Sequence, residues 1–567
     1  MRLAWACSRC RSKKIKCVHE GQSPCLSCKK KGLQLACRLT STKEFRVVKQ
    51  LTGHHAVTER NSLKTSHTFE MQEKQISCVY FHHPELLFLK IPKIDQLLHP
   101  GVKEALFLLS CKYTGAEIDS IALSQLEAKV LELANSKSDY LSCLQLSLIL
   151  ILIFWQLGST RKAWFIEGIA SRISYYLVKN KEMAAISGTT EKEVFTRAIW
   201  SHRFLSNSLK DKSGVSLHAQ LQDFQLPLED IDMLFESGSK SPVTLKTLSV
   251  DVQSNIYSLL IFSGELWLES SFWILQGGRR TYLKVPWDEE SEWNMLTKKI
   301  SSFNDNLGPR ETLSDSNILG YASLGLGSCY CLMHLFLSMA KLMLHRDYIP
   351  FIPSRSSVPS GPLDPPKICD SAPYLWWRNS ARVVFDSARS IATILHSLKA
   401  EDYCCNPFYG FSAFTAAGML SYLHYFPNYD PEFCDSKVYY DYCLDYLSSY
   451  ADKWEIGKSY HKWALEISTI YKFACRKSNR LTVSEVQSLR DKYIDMSTIS
   501  DPIESSDLLN IQQLIHSNDQ STELPQDSFA TKSQSLFSLE YAESSSSLDF
   551  DYWSSLPSMN MFGTSPL

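Results

Sequence analysis

Six cysteines within the first forty residues, at Cys7, Cys10, Cys17, Cys25, Cys28 and Cys37, constrain this chain more than any other feature. Their spacing is C-x2-C-x6-C-x7-C-x2-C-x8-C. Two residues between cysteines let both sulfurs of a pair turn onto one metal ion at the start of a short helix. An all-sulfur donor set suits zinc, whose filled d shell accepts a tetrahedral thiolate cage. Four cysteines complete one such site, and six cannot complete two unless two sulfurs are shared. The cysteine-only set and its near-repeated halves therefore point to a binuclear cluster with bridging thiolates and two Zn2+ as cofactors. A unit of forty residues buries too little apolar surface to fold unaided, so metal binding and folding are expected to be one event.

The residues around the cysteines are strongly basic. Arg11-Ser12-Lys13-Lys14-Ile15-Lys16 lies between Cys10 and Cys17, and Lys29, Lys30 and Lys31 follow Cys28. Residues 1–50 hold thirteen Lys or Arg against two acids, Glu20 and Glu44, although the whole chain has a net charge of −1. Dense positive charge on a small rigid knot is the footprint of a phosphate-backbone binder. The run Cys7-Ser8-Arg9-Cys10-Arg11-Ser12-Lys13-Lys14-Ile15-Lys16-Cys17, then Ser23-Pro24-Cys25-Leu26-Ser27-Cys28, resembles the Zn2Cys6 binuclear cluster of fungal transcription factors. That resemblance implies Cys7 and Cys25 as bridges, with Cys10 and Cys17 completing one zinc and Cys28 and Cys37 the other. It implies a first helix whose C-terminal end, carrying Lys13 and Lys14, enters the major groove of double-stranded DNA. There lysine can donate to the O6 and N7 acceptors of guanine, in CGG-type triplets. Arg9, Arg11, Lys16, Lys29 and Lys30 are then expected on phosphates. The knot has no Phe, Tyr or Trp between Cys7 and Cys37, which favours duplex DNA over RNA, whose binders supply stacking aromatics.

A length of 567 residues with 44% hydrophobic content calls for more than one structural unit. The eleven other cysteines form no second C-x2-C and sit mostly among apolar residues, as buried thiols do. No apolar leader opens the chain, so a reducing, intracellular setting is expected, where thiolates bind metal rather than form disulfides. Ser147–Trp155 is intensely apolar but falls short of the roughly 20 residues a spanning helix needs. Leu324–Met343 carries Ser328, His334, Ser338 and Lys341. Both read as core helices, with no membrane among the expected partners.

Composition divides the chain into a cluster at 1–40, a linker at 41–75, an all-α domain at 76–500 and a disordered acidic tail at 501–567. No sustained heptads follow the cluster, although a second copy of the chain stands among its expected partners. In the helical region, Ser120 is a start signal for a helix bearing Ile121, Leu123, Leu126, Val130 and Leu133 at a period near 3.6. Asn379 or Ser380 opens another bearing Val384, Ala388, Ile391, Leu395 and Leu398. Seven prolines between Pro350 and Pro373 read as an exposed loop. His82-His83, before Pro84, reads as a surface pair. Leu144–Ser147, then Gly158–Ala170 with Ala163-Trp164 and Arg172, resembles the fungal transcription factor middle homology region. Arg197-Ala198-Ile199-Trp200 resembles its next helix, and Phe224-Gln225-Leu226-Pro227 its Leu-Pro end. The resemblance implies an all-α regulatory domain.

The closing segment sets Phe537, Tyr541, Phe550, Tyr552 and Trp553 among acids, the composition of disordered activation segments that recruit transcription coactivators. No G-x-S-x-G, P-loop or H-E-x-x-H is present, and Gly325-Leu326-Gly327 lacks the third glycine of a dinucleotide fingerprint. The chain reads as a nuclear, zinc-dependent, sequence-specific activator of transcription and not as an enzyme. By family analogy it regulates a metabolic or secondary-metabolite gene cluster. The alternative is a ligand-binding receptor or enzyme in the helical domain with an accessory zinc module.

Overall fold

The chain divides into two units, Met1–Met71 and Gln72–Leu567. The computed structural model describes residues 5–7, 16–18, 25–30 and 39–41 of the first and, with short internal gaps, residues 79–477 of the second. The sequence expectations for the 501–567 tail, including Phe537, Tyr541, Phe550, Tyr552 and Trp553, lie outside the described residues.

In the small unit, strand β1 (Trp5–Cys7) pairs antiparallel with β2 (Leu39–Ser41), and a single-turn helix, α1 (Leu26–Lys29), lies between them in sequence. The large unit is helical throughout its described residues, apart from an isolated bridge between Gln225 and Thr244. Its first helices are α2 (Pro100–Thr114), α3 (Ser120–Ala134), α4 (Tyr140–Gln156), α5 (Thr160–Lys179) and α6 (Thr189–Leu209). The short α7 (Asp230–Leu234) leads to α8 (Ile256–Leu275), α9 (Glu292–Asp305), α10 (Asp315–Ser323) and α11 (Gly327–Arg346). The unit closes with α12 (Trp376–Ala400), α13 (Pro407–Tyr425), α14 (Ser436–Ala451) and α15 (Glu455–Lys477).

Helix α4 is the hub of the first half, packed by α2, α3, α5 and α6. Every residue from Cys143 to Gln156 is buried, including Gln145, Ser147 and Gln156. Two of the polar ones are tied: Ser147 Oγ donates to the Cys143 carbonyl at 2.8 Å, and Gln156 Nε2 donates to Tyr113 Oη at 2.9 Å. The helix ends where Gly158 takes a φ of +69°. Gly158 N then donates to Trp155 O at 3.0 Å and Ser159 N to Phe154 O at 2.8 Å, the two bonds of a Schellman turn that only an achiral residue enters without strain. That turn lays α5 back along α4. In the second half, α11 packs between α8 and α12, and α12 to α15 pack on one another. Among the described residues, α11 is the one helix long and apolar enough to cross a membrane, but 94% of its apolar window is buried inside the protein.

Several sequence expectations need correction. The N-cap of α3 is Asp119, whose carboxylate accepts from Ile121 N at 2.8 Å, so Ser120 is already inside the helix. Leu123, Leu126, Val130 and Leu133 are buried, but Ile121 in the first turn is 69% exposed. Helix α12 starts at Trp376, ahead of Asn379, and all five of its expected core residues are buried. His83 is fully buried rather than at the surface, its Nδ1 2.6 Å from Glu85 Oε1 and its Nε2 2.5 Å from Tyr113 Oη. The proline-rich stretch is not exposed throughout. Pro350, Ile352, Pro353 and Gly361 are buried, because Ile352 enters the core and Gly361 lies against Trp377, where a Cβ would come within 2.9 Å of the indole.

Two core histidines make this unit acid-sensitive. His334 Nε2 donates to the Glu311 carbonyl at 2.8 Å, and burial pushes its pKa down to about 4. His345 Nδ1 lies 2.9 Å from Ser380 Oγ, and burial pushes its pKa down to about 3. Both stay neutral in the folded state, while the unfolded chain takes up their protons below its ordinary histidine value. Stability from each is therefore present above pH 6.5 and is lost as pH falls toward the folded value. For His334 alone the loss at pH 5 is about 2 kcal/mol. We expect the Tm gap between wild type and His334→Asn, measured by thermal denaturation, to narrow as pH falls from 7 to 5. A gap independent of pH would show that His334 does not titrate on unfolding.

Candidate metal centre

The small unit is built from its ends inward. Pairing of Trp5 with Ser41, Ala6 with Thr40 and Cys7 with Leu39 brings the first cysteine to the chain segment that immediately follows Cys37. Between them, Leu26 N donates to the Val18 carbonyl at 2.9 Å, which ties the segment carrying Cys17 to the first turn of α1. Cys25 is the N-cap of that helix, in extended backbone conformation, and its carbonyl accepts from Lys29 N at 2.9 Å. Cys28 stands three residues on, so the C-x2-C pair occupies the N-cap and N3 positions, whose side chains meet on one side of a helix start.

Burial is inverted relative to an ordinary apolar core. Cys25 is 0% and Cys28 3% exposed, whereas Leu26 is 53% and Val18 43% exposed. Among the described residues of the unit, the Cys25 and Cys28 side chains are enclosed, Cys17 is half-buried, and Val18 and Leu26 face outward. Hydrophobic burial cannot drive such an arrangement, but thiolate–metal bonds can. The residues present thus fit a thiolate-bound zinc centre. Cys7, Cys10, Cys17, Cys25, Cys28 and Cys37 are the side chains that would hold it, and what it supplies is crosslinking of the fold. The pairing of the strands and the tie from Val18 to Leu26 were not foreseen. Each strand has three residues, too few to show alternation, and the tie is a backbone bond with no side-chain signature.

Lys16, Lys29 and Lys30 are exposed, the last two at the C-terminal end of α1. Cys10, Cys37, Arg9, Arg11, Lys13 and Lys14 lie outside the described residues. Among the described residues, no group of three or more His, Cys, Asp or Glu is placed to hold a metal ion. Other cysteines behave as core. Burial pushes the Cys143 thiol up to about 11 and the Cys331 thiol up to about 12, so both stay protonated and are poor ligands. Cys434 departs from the expectation of burial and is exposed.

Residues 5–45 match the fungal Zn(2)-Cys(6) binuclear cluster domain, so the small unit carries a domain of that kind, which implies zinc binding. The chain is also similar to an uncharacterized transcriptional regulatory protein of Schizosaccharomyces pombe. The two are 26% identical over 372 residues, which cover 59% of this chain and 53% of that protein. The chain therefore spans about half the length of this curated relative. A likeness of that length extends far beyond the cluster domain into the helical unit. No solved structure matches the chain.

If Cys28 is a zinc ligand, removing its thiol should unfold the small unit while leaving the helical unit intact. Cys28→Ala is expected to lower bound zinc from two ions per chain, measured by metal analysis, with the far-ultraviolet helical signal nearly unchanged. Full zinc content in that variant would exclude Cys28 as a ligand.

Proposed function

We propose that this protein is a sequence-specific, zinc-dependent DNA-binding transcription factor that reads CGG-type motifs. The observation that carries the reading is the described part of the small unit: Cys25 and Cys28 are buried, Val18 and Leu26 face outward, and Lys16, Lys29 and Lys30 are all exposed. The matched domain and the relative's name point the same way, toward regulation of transcription and away from catalysis.

In this reading Lys13 and Lys14 donate to guanine O6 and N7 in the major groove. Arg9, Arg11, Lys16, Lys29 and Lys30 neutralise phosphates and fix the register of the unit on the duplex. The helical unit is a regulatory domain of the middle homology kind, spanning about residues 76–500. The tail from 501 activates RNA polymerase II transcription in the nucleus through coactivators. The genes controlled would form a metabolic or secondary-metabolite cluster, and a second copy of the chain would supply the other half-site contact.

The two classes of contact separate in a binding assay. Lys14→Ala should reduce the preference for CGG-containing over scrambled duplex by about 1–3 kcal/mol. Lys30→Ala should weaken both duplexes equally and flatten the salt dependence. Unchanged discrimination by Lys14→Ala would remove that residue from base readout.

The activating role is tested apart from DNA recognition. Residues 535–567, fused to an unrelated DNA-binding domain, should drive a reporter in a fungal cell, and Phe550→Ala with Trp553→Ala should abolish most of that output. A silent wild-type fusion, in a host where another acidic activator works, would leave DNA binding without activation.

A further inference from the structure

The outer face of α5 is out of keeping with the rest of the helical surface. Counting 100° per residue, Arg161, Trp164, Phe165, Arg172, Tyr175 and Lys179 fall within one stripe about 100° wide. Trp164 is 49% and Phe165 59% exposed, and Arg161, Arg172 and Lys179 are exposed as well. The helix has one acid, Glu167, and it is buried outside the stripe, about 110° from its centre, where it accepts from Ser171 Oγ at 2.6 Å. Arg172 donates only to the Gly168 carbonyl, at 2.9 Å, and Lys179 lies 5.2 Å over the Tyr175 ring. Among the described residues no carboxylate pairs with Arg161, Arg172 or Lys179, in contrast to Lys162, which meets Glu127 at 2.9 Å. Gly168, mid-stripe, keeps the surface low between the aromatic and basic ends.

Two adjacent exposed aromatics beside uncompensated cations form a surface for a peptide that is acidic and aromatic together. This chain contains one. Residues 535–567 hold Glu540, Glu543, Asp549 and Asp551 and no Lys, Arg or His, with Phe537, Tyr541, Phe550, Tyr552 and Trp553 interspersed. Reach is sufficient. Glu455, at the start of α15, packs against Gly158 just before α5. The 23 residues of α15 then place Lys477 about 33 Å from that point. Residues 478–536 would span about 90 Å even as a single helix. We propose that the α5 stripe is the docking surface for the chain's own segment 535–567, its acids meeting Arg161, Arg172 and Lys179 and its aromatics covering Trp164 and Phe165.

The proposal rests on the composition of the tail and not on its activating role, so the reporter fusion and the docking test fail independently. The test uses the full chain with p-benzoylphenylalanine at position 165, photolysed and mapped by mass spectrometry. Cross-links to peptides within 535–567 are expected, in a yield independent of protein concentration and falling as salt rises. Arg161→Glu with Arg172→Glu should lower the yield several-fold without changing the circular dichroism. Asp549→Lys with Asp551→Lys in that background should restore it, a rescue that a structural role of either arginine cannot give. Cross-links that rise with concentration would assign the stripe to a second copy. Cross-links seen only with added duplex would assign it to nucleic acid. Either result, cross-links elsewhere in the chain, none at all, or charge reversal without effect, overturns the proposal.

Discussion

One buried guanidinium joins the two halves of the helical unit. Arg197 of α6 is fully buried, with Nε 2.7 Å from Glu193, Nη2 2.9 Å from Asp230 and 3.0 Å from the Leu228 carbonyl, and its plane 4.3 Å over the Tyr257 ring. Burial works against its charge, but Tyr257, Glu193 and Asp230 together hold its pKa above the ordinary arginine value. Losing one partner of such a pair costs about 3–5 kcal/mol, because the charge left behind is buried and unpaired. The consequence is positional: α6, the segment 224–230 and the start of α8 are held on one another by a group that tolerates no slippage. A second buried pair, Arg203 to Glu265 at 2.6 and 2.7 Å, repeats the link one and a half turns further along α6.

The sequence singled out residues of this junction but not their meeting. Arg197–Trp200 and Phe224–Pro227, read only as ordered fragments of a resemblance, meet in space: Trp200 Nε1 donates to the Gln225 carbonyl at 2.9 Å, and Gln225 Nε2 to Thr196 Oγ1 at 2.8 Å. Asn255 ties the next helix to the same segment, donating to the Pro227 carbonyl at 2.9 Å while capping α8 through Ser258 N. The helices themselves were legible because amphipathic stripes and the Gly158 stop are local signals. Burial of His83 was not, because its partners Glu85 and Tyr113 include a residue thirty positions away. The extension of α12 back to Trp376 was missed for a similar reason. Trp376 and Trp377 are held by Trp287, Trp293 and Tyr348, with ring centroids 5.2–6.2 Å apart, and tertiary aromatic contacts leave no start signal in sequence.

The two units solve the stability problem by different means. The helical unit has a single apolar core that runs through every long helix, so it can carry buried ion pairs and neutral histidines as specifying elements. Among the described residues of the small unit, Cys25 and Cys28 are buried while Val18 and Leu26 are exposed, so the apolar burial that holds the helical unit is not what orders this segment. That explains why six cysteines were so informative at the outset. In the proposed reading their positions are set by coordination rather than by packing, and coordination spacing survives in a sequence as a countable pattern. The backbone ties between Cys7 and Leu39 and between Val18 and Leu26 could not be counted in that way, since they ask nothing of the side chains.

Charge is segregated along this chain far more than its net value of −1 conveys, and the segregation raises a question of competition. If the tail docks as proposed, its acids must prefer the α5 stripe to the basic residues of 1–50. Exposed ion pairs are worth only about 0.2–1 kcal/mol each and weaken with salt, so charge alone does not choose between the two surfaces. Aromatic contact does. Each aromatic pair adds about 0.5–1.5 kcal/mol beyond area burial. The stripe offers Trp164, Phe165 and Tyr175 on one helix face, whereas residues 1–50 hold only Trp5 and Phe45, both outside the span from Cys7 to Cys37. Phosphates, which carry charge and no aromatic surface, favour the knot on the same terms. A chain with two basic surfaces can thus keep its acidic segment and its DNA apart, not by the sign of the charge but by which surface also offers rings to bury.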